Sequence, residues 1–368
     1  MLMNLSNFPE FNESNFNFAE AFSNAFDKTF KAIGRVNILI AGRSGVGKST
    51  LINAVFQGNL ATTGQGRPVT QYTQEFTKEG MPISIFDTRG LEMADFKKTF
   101  DELNSEVDKR SRERDVTKHI HVAWICLAED LRRVEPAEIE LVNILSDKMP
   151  VVVVITKARA DQGFSSEVRK LLIKATNVIR VRAIVEVDDE GNVLQPKGLD
   201  ELVKLTMEVL PDAMKKAFAA VQKVDMEIKK QQAGAIIGAA SVAAAGVAAS
   251  PIPFSDALLI VPIQIGMLAG ISAVFGLPIE QSFLSTLIGS VITGGAATLT
   301  GRAIFSNLLK SIPGVGTIAG GAIAASTASL ITTAFGEAYK AVLEALFIKN
   351  KGEIPTLEEI ADAFKKKF

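Results

Sequence analysis

The sequence predicts an α/β domain with a mostly parallel six-stranded sheet, followed by an all-α hydrophobic domain rich in glycine and alanine. Three observations predict this order. A glycine-rich turn of the form G-x-x-x-x-G-K-S at 42–49 joins an apolar strand to a helix. Strands and helices then alternate to about residue 210, as they do in parallel sheets covered by helices. Between 233 and 348 charged residues become rare, which marks a second domain.

Length and composition restrict the class of protein. The chain has 368 residues, enough for two domains. Its formal net charge of −1 gives no overall attraction to nucleic acid, so no nucleic-acid partner is expected. The single cysteine, Cys126, excludes an internal disulfide framework, and one cysteine with two histidines argues against a zinc site. The first residues lack a signal-peptide pattern, so we expect a cytoplasmic protein, with membrane association or insertion through residues 233–348 as a further option.

Composition divides the chain into five segments. Phenylalanines recur every fourth residue from Phe18 to Phe30, which places them along one side of a helix. The expected segments are a Phe-rich N-terminal helix at 1–34, the α/β domain at 35–210, a linker helix at 211–232, the hydrophobic helical domain at 233–348 and a C-terminal amphipathic helix at 349–368.

Apolar runs separated by polar helices define the elements of the α/β domain. The run 151–155 is β-branched throughout, as in a strand buried on both faces. Polar periodicity over 95–114 predicts a long charged helix. The strands are expected at 36–41, 72–78, 83–86, 121–127, 151–155 and 179–185, and the helices at 49–56, 95–114, 136–145, 165–175 and 199–209.

The glycine-rich turn has the chemistry of a phosphate-binding loop. Glycines allow consecutive backbone N–H groups to face a polyphosphate, and the following helix adds the partial positive charge of its N-terminus. Lys48 is placed to reach the β- and γ-phosphates, and the hydroxyl of Ser49 is a suitable ligand for Mg²⁺. We therefore expect a nucleoside triphosphate to contact Ser44, Gly45, Val46, Gly47, Lys48, Ser49 and Thr50.

A second element, Asp87-Thr88-Arg89-Gly90, follows the predicted strand 83–86. An aspartate at this place can hold Mg²⁺ through water, and the N–H of Gly90 can sense the γ-phosphate. A threonine between the two elements is expected to close over Mg²⁺. Thr70 is favoured because it ends a glycine-rich loop just before a strand, and the alternatives are Thr62, Thr63 and Thr73.

The third element is Thr156-Lys157, directly after the strand at 151–155. With the first two elements it makes residues 35–210 resemble GTPases of the translation-factor-related class, and within that class the Era-like family. The resemblance implies a P-loop GTPase fold with GTP or GDP and Mg²⁺ as ligands. It also implies contacts to the base from Thr156, from Lys157 and from the backbone of Ala183.

One position departs from the pattern of that family. There the third element reads N/T-K-x-D, with the lysine along the base and the aspartate paired with N1 and N2 of guanine. Arg159 stands at the aspartate position of this sequence, and Asp161 follows two residues later. Guanine against adenine specificity therefore stays open, and an ATPase is an alternative.

A closer resemblance includes the helical part. The segments 119–127, 251–254 and 312–316 are similar to bacterial and fungal Era-like GTPases with an appended Gly/Ala-rich helical domain of unassigned function. This resemblance covers most of residues 35–347. More distantly, the sequence is similar to immunity-related GTPases, which also join a GTPase domain to a helical domain. The Era-like resemblance also leaves ribosome binding as a remote alternative.

The position after D-x-x-G bears on hydrolysis. In Ras-like enzymes a glutamine here orients the attacking water, whereas this sequence has Leu91 followed by Glu92. An apolar side chain cannot hold water, so the expected catalytic groups are Lys48, Thr70, Gly90 and Glu92. Another loop or a second protomer is the alternative to Glu92. We expect slow intrinsic turnover that rises on self-association or partner binding.

The hydrophobic domain has two interpretations. Its uncharged stretches at 233–255, 257–279, 281–301 and 311–336 have the length of membrane-spanning helices. Prolines interrupt these stretches and no aromatic belt is evident, which favours a soluble bundle. The main hypothesis is a switch that couples nucleotide state to a membrane, a membrane-associated partner or a homo-oligomer. A nucleotide-binding scaffold with little turnover is the alternative.

Overall fold

The computed structural model describes most of the α/β part and three long helices of the hydrophobic part. The described residues are 33–57, 60–63, 65–68, 73–77, 81–88, 96–188, 190–248, 256–277, 324–356, 358–360 and 362–363.

A seven-stranded, mostly parallel sheet forms the centre of the α/β part. Its strand order is β2-β3-β4-β1-β5-β6-β7. Strands β4, β1, β5, β6 and β7 pair in parallel, and β2 and β3 are antiparallel at one edge. The strands are β1 Val36–Ala41, β2 Gln65–Pro68, β3 Thr73–Thr77, β4 Ile83–Thr88, β5 Val122–Ala128, β6 Val151–Thr156 and β7 Asn177–Arg180.

The predicted fold class is confirmed, and all six predicted strands belong to this sheet. The short strand β2 is an addition at the edge. The last predicted strand, 179–185, is instead Asn177–Arg180, because the chain then leaves the sheet. A separate hairpin follows, in which β8 Glu186–Val187 pairs with β9 Val193–Leu194.

Helices cover both faces of the sheet because consecutive residues of each central strand point to opposite sides. Ile38 and Ile40 face one hydrophobic cluster, and Leu39 and Ala41 face the other. The first cluster includes residues of α1 Lys48–Val55, α6 Leu199–Val209 and α7 Asp212–Val221. The second includes residues of α3 Phe96–Ser111, α4 Pro136–Ser146 and α5 Phe164–Leu171. A short helix, α2 Leu60–Thr63, follows α1.

The predicted linker helix at 211–232 is two helices in the structure. Helix α7 ends at Val221, and α8 Met226–Ala248 begins four residues after Gln222. The side-chain oxygen of Gln222 accepts hydrogen bonds from the backbone N–H groups of Val224 and Asp225 at 2.9 and 2.8 Å. The carboxylate of Asp225 then accepts from the N–H of Glu227 at 2.8 Å. These side chains satisfy backbone groups at the break, so the chain turns instead of continuing one helix.

Three long helices form the described part of the hydrophobic region. Helix α8 packs against both α9 Asp256–Val274 and α10 Ala324–Lys349. The approach is close at Gly336 of α10, where a Cβ atom would lie 2.7 Å from Cγ1 of Ile237. The hydroxyls of Ser272 and Tyr339 are 2.6 Å apart and link α9 to α10. Among the described residues, no helix combines the length and the apolarity needed to cross a membrane.

Several expectations fall wholly or partly outside the described residues. The Phe-rich segment 1–34 is described only from residue 33, and the apolar stretch 281–301 lies entirely outside. Of the C-terminal segment 349–368, residues 358–360 and 362–363 are helical. Thr356 and Glu359 cap the start of this turn reciprocally, with N–H···O distances of 3.0 and 3.2 Å.

Candidate functional site

The turn between β1 and α1 depends on glycine. Gly42, Gly45 and Gly47 have φ angles of 151°, 75° and 96°, in the range that other residues avoid. A Cβ atom on Gly42 would lie 2.4 Å from the carbonyl oxygen of Cys126, so β5 leaves no space for a side chain. In contrast, no described atom lies within 4 Å of a Cβ built on Gly45. The turn is therefore tight against the sheet at its start and open at its middle.

The ammonium group of Lys48 lies within this turn. Its Nζ donates hydrogen bonds to the carbonyl oxygens of Gly42 at 2.7 Å and Arg43 at 3.1 Å. Lys48 is also the first residue of α1, and Gly47 is the N-cap. A cation and the positive end of a helix dipole thus occur together, which favours binding of an anion.

A cavity of about 510 Å³ lies against the turn and extends to β4. The pairing of β4 with β1 places Asp87 opposite Ile40, two residues before the glycine-rich turn. Asp87 is thus part of β4, where it is buried, and does not follow the strand as predicted. The cavity is lined by Ser44, Gly45, Gly47, Lys48, Ser49, Thr50 and Asp87.

Of the seven loop residues predicted to contact phosphate, at 44–50, the structure places six on this cavity. The exception is Val46, whose side chain is buried in the core. Ser49 and Asp87 line the same cavity, and hydroxyl and carboxylate oxygens are ligands of the kind that Mg²⁺ prefers. The donor set therefore fits a magnesium-bound polyphosphate.

Thr156, at the end of β6, fixes the glycine-rich turn from behind. Its hydroxyl lies 2.5 Å from the carbonyl oxygen of Val46 and 3.1 Å from that of Leu127 at the end of β5. Thr156 is buried, so these contacts are shielded from water. One side chain thus connects the loop after β1 with two neighbouring strands.

Two family models match the chain. Residues 37–157 match the family described as 50S ribosome-binding GTPase, and this range includes the glycine-rich turn, Asp87 and Thr156. The α/β part of the chain has a P-loop GTPase fold. Residues 213–367 match a domain of unknown function, DUF697. The helical region that follows the GTPase fold therefore falls within the DUF697 match.

Two curated proteins match parts of the chain. Translocase of chloroplast 101 from Physcomitrium patens is 35% identical over 91 residues, which are 23% of this chain and 9% of that protein. The tRNA modification GTPase MnmE from Malacoplasma penetrans is 24% identical over 133 residues, which are 35% of this chain and 28% of that protein. The chain thus spans less than a third of the length of either relative.

The solved structures that are similar to the chain include two at 19% sequence identity. Toc33 from Arabidopsis thaliana in complex with Mg²⁺ and GMPPNP aligns with a TM-score of 0.34, covering 53% of this chain and 94% of that one. Translation elongation factor SelB from Methanococcus maripaludis in complex with GppNHp aligns with a TM-score of 0.31, covering 49% and 35%.

In the GTPase fold of this chain, the residues that the resemblance implies for the base lie at the end of β6, in the loop after it and in the segment after β7. Lys157 has a left-handed backbone, with φ of 54°, and its Nζ lies 3.1 Å from a carboxylate oxygen of Asp130. The Nε of Arg159 donates to a carboxylate oxygen of Glu186 at 3.0 Å. Ala183 is half-buried against the core, in the segment between β7 and the β8–β9 hairpin.

Asp161, the other carboxylate near the expected aspartate position, has a structural role. Its two oxygens accept hydrogen bonds from the N–H and the hydroxyl of Ser165 at 2.8 and 2.7 Å. These bonds hold the pKa of Asp161 below its usual value. Arg180 approaches the same carboxylate at 3.4 Å. Asp161 therefore stabilises the start of α5, and we do not assign it a part in base recognition.

An ion pair that was not predicted from the sequence lies beside this loop. Glu129 is nearly inaccessible, and one of its oxygens lies 2.7 Å from both Nε and Nη2 of Arg180. Its other oxygen accepts the backbone N–H of Arg159 at 2.6 Å. The hydrogen bond to Glu129 raises the pKa of Arg180. One feature of the sequence could have indicated this ion pair. Two apolar strands each end in a charged residue, since Glu129 follows β5 and Arg180 ends β7.

Three predicted residues, Thr70, Gly90 and Glu92, lie outside the described residues. Of the alternatives to Thr70, Thr73 is buried on β3. Cys126 is also buried, and desolvation raises the pKa of its thiol to about 12. A thiol that remains protonated is a poor nucleophile, and Cys126 packs against Gly42.

Proposed function

We propose that this protein is a GTP-binding and GTP-hydrolysing switch of the Era-like kind, dependent on Mg²⁺, whose nucleotide state is transmitted to its helical region. The observation that carries the proposal is the position of Lys48. Its ammonium group lies among the carbonyls of a glycine turn, at a helix N-terminus and on a cavity shared with Asp87. This arrangement supports binding of a charged polyphosphate.

Three residues of the cavity have a proposed part in catalysis, together with residues of the neighbouring loops. Lys48 would hold the β- and γ-phosphates, and Ser49, Asp87 and Thr70 would hold the metal. Bound magnesium would neutralise charge that develops on the phosphates. Gly90 would donate its N–H to the γ-phosphate, and Glu92 or a group from a second copy would orient the attacking water. Leu91 offers no polar group for that purpose, which supports slow turnover by the isolated chain.

Three contacts at the far end of α1 support transmission to the helical region. The N–H of Lys223 donates to the carbonyl oxygen of Val55 at 2.9 Å. Phe56 forms a backbone bridge with Gln222. The Nε2 of Gln57 lies 3.4 Å from the carbonyl oxygen of Phe275, just after α9. A helix of eight residues thus joins the phosphate cavity to the helical region.

Lys229 strengthens the same junction. It is buried, and its Nζ donates to the carbonyl oxygens of Ala219 and Ala220 in α7 and of Val274 in α9, at 2.7, 3.0 and 3.0 Å. Rings of Phe275 and Phe347 lie within 6.0 Å of the ammonium. A movement of α1 would therefore act on α7, α8 and α9 together.

The target of the switch is proposed from composition. The helical region is long, apolar and poor in charge, which supports contact with a membrane or with a second copy of the chain. The nucleotide-binding scaffold remains the second candidate, since Arg159 and Leu91 both depart from the pattern of efficient GTPases.

Binding is tested first, with the purified full chain and a fluorescent GTP analogue in the presence of Mg²⁺. Lys48→Ala is expected to weaken binding by roughly 10- to 100-fold, the factor expected from one charge-assisted hydrogen bond. Lys216→Ala, an exposed lysine on α7, is the matched control. Equal binding by wild type and Lys48→Ala would remove the basis of the proposal.

Turnover is tested second, by single-turnover GTP hydrolysis over a range of protein concentrations, with and without phospholipid vesicles. A slow rate that rises with concentration supports self-assembly, and a rise with vesicles supports a membrane target. Tight binding without any turnover favours the scaffold. A competition between GTP and ATP in the same assay decides whether an ATPase is the better description.

A further inference from the structure

The topology of the sheet indicates on which side of the phosphate cavity a nucleoside would lie. The cavity lies at the carboxyl ends of β1 and β4, where Lys48 and Asp87 would hold the terminal phosphates and the metal. The sheet continues from β1 in the other direction through β5 to β6 and β7. A nucleoside bound at this edge therefore extends away from β4, over the loops that follow β6 and β7.

Two acidic side chains at that end already bind groups of the protein itself. Glu129 is buried and binds Arg180 and the backbone of Arg159. Asp161 accepts from the backbone and the hydroxyl of Ser165. Their oxygens hold the loop and the start of α5, so neither is available to distinguish one base from another.

Glu186 differs from these two groups in its position and in its partner. It is the first residue of β8, three residues after Ala183, and its strand is fixed by pairing with β9. Its side chain is 20% exposed, and one carboxylate oxygen accepts from Nε of Arg159 at 3.0 Å. A carboxylate thus lies at the end of the arginine side chain that stands where the resemblance implies an aspartate.

We propose that Glu186 supplies the carboxylate that recognises guanine, and that Arg159 is the residue that positions it. This inference rests on the proposed function, because it requires a nucleotide in the site. The Watson–Crick edge of guanine presents two donors, N1–H and the N2 amino group. A guanidinium has donors alone and cannot accept from them, whereas an ionised carboxylate accepts at both oxygens. Arg159 itself cannot accept a hydrogen bond from guanine, but its hydrogen bond to Glu186 holds in place a carboxylate that can.

Asp130 is another carboxylate near this loop, and its environment makes it a weaker candidate than Glu186. It lies in the short helical turn after β5 and pairs with Lys157, and its side chain is 55% exposed. Glu186 is less exposed and is held within a strand pair, so less side-chain freedom is lost when it binds a base. The structure therefore favours Glu186 for specificity.

The proposal is tested by measuring the affinities of GTP, ITP, XTP and ATP for the full chain with Mg²⁺. ITP lacks the N2 amino group, and XTP carries a carbonyl oxygen in its place. We expect wild type to bind GTP more tightly than ITP by about 10-fold or more, the factor of one charge-assisted hydrogen bond. XTP and ATP should bind more weakly still.

Glu186→Gln should weaken GTP binding by about 10- to 100-fold and reduce the preference for GTP over ITP. The same variant should bind XTP better than wild type does, because the new amide donates to the C2 carbonyl oxygen. A variant that was merely unfolded would not gain affinity for any nucleotide. Arg159→Gln should shift the GTP-to-ITP ratio in the same direction as Glu186→Gln.

Glu190→Gln is the matched control, since it removes the same charge from the same hairpin. It should leave all four affinities at their wild-type values. An unchanged GTP-to-ITP ratio in Glu186→Gln, or equal binding of GTP and ATP by wild type, would overturn the role of Glu186. Absence of binding by any of the four nucleotides would instead refute the proposed function itself.

Discussion

The hydroxyl of Thr156 lies 2.5 Å from the carbonyl oxygen of Val46, a residue 110 positions earlier in the chain. The same hydroxyl approaches the carbonyl oxygen of Leu127 at 3.1 Å. A hydroxyl has one proton to donate, so the two carbonyls share a single donor in a buried setting. The conformation of the phosphate-binding loop is thus set partly by the end of β6.

Thr156→Val tests this support. Valine has nearly the same shape but no hydroxyl, so the buried carbonyls of Val46 and Leu127 would lose their shared donor. We expect the free energy of unfolding to fall by about 1–3 kcal/mol. The rate at which a fluorescent nucleotide dissociates should rise, because the loop is less well fixed.

Thr156→Ser provides the comparison, because serine keeps the hydroxyl and loses only a methyl group. It should dissociate nucleotide at nearly the wild-type rate in the stopped-flow measurement. Identical dissociation rates in the serine and valine variants would show that the contact with Val46 does not govern the loop.

The junction between α1 and the helical region is closely packed at Gly276. Gly276 has φ of 77°, and a Cβ atom there would lie 2.4 Å from Oε1 of Gln57 and 2.5 Å from the carbonyl oxygen of Ala220. Gly276→Ala is therefore expected to destabilise the protein by about 1–3 kcal/mol, through overpacking and a strained backbone. Thermal unfolding followed by circular dichroism would measure the loss.

Gly238→Ala is the matched change without these contacts. Gly238 lies within α8, and no described atom lies within 4 Å of a Cβ built on it. Alanine favours the helix over glycine, so this variant should be more stable than wild type by ~0.5–1 kcal/mol. If Gly276→Ala unfolded at the same temperature as Gly238→Ala, the junction would be looser than its contacts indicate.

Local sequence patterns were sufficient to predict most helices and strands of the GTPase fold and its glycine-rich turn. The helix Leu199–Val209 was predicted with both ends correct, and in the structure an αL glycine precedes it. The glycine turn and Asp87 were predicted because their residue types are required by backbone conformation and charge. Each of these signals lies within a few residues of the element that it specifies.

Long-range side-chain contacts explain what was missed. Glu129 and Arg180 are far apart in sequence, and their ion pair arises only when β5, β6 and β7 lie side by side. The strand predicted at 179–185 ended early for a similar reason. Arg182 pairs with Lys197 rather than continuing along β6, and no local pattern indicates that choice.

His121 lies just before β5, and both nitrogens of its ring form hydrogen bonds. Its Nδ1 accepts the backbone N–H of Asn37 at 2.9 Å, so this nitrogen carries no proton. Its Nε2 lies 2.9 Å from the carbonyl oxygen of Val116 and therefore donates to it. Burial lowers the pKa of His121 below its ordinary value of 6.5. Protonation of Nδ1 would place two donors against each other, which is consistent with that direction.

The sign of the resulting pH dependence follows from linkage. As pH falls through 6.5, the histidine of the unfolded chain takes up a proton before His121 of the folded protein does. Unfolding then binds a proton, and acidification lowers the free energy of unfolding.

We expect His121→Gln to be less stable than wild type at pH 7 and to have a flatter dependence of stability between pH 7 and 5. Urea unfolding at several pH values would measure both slopes, with His119→Gln, a half-buried histidine two positions earlier, as the comparison. Parallel slopes for wild type and His121→Gln would mean that another group is responsible for the loss of stability in acid.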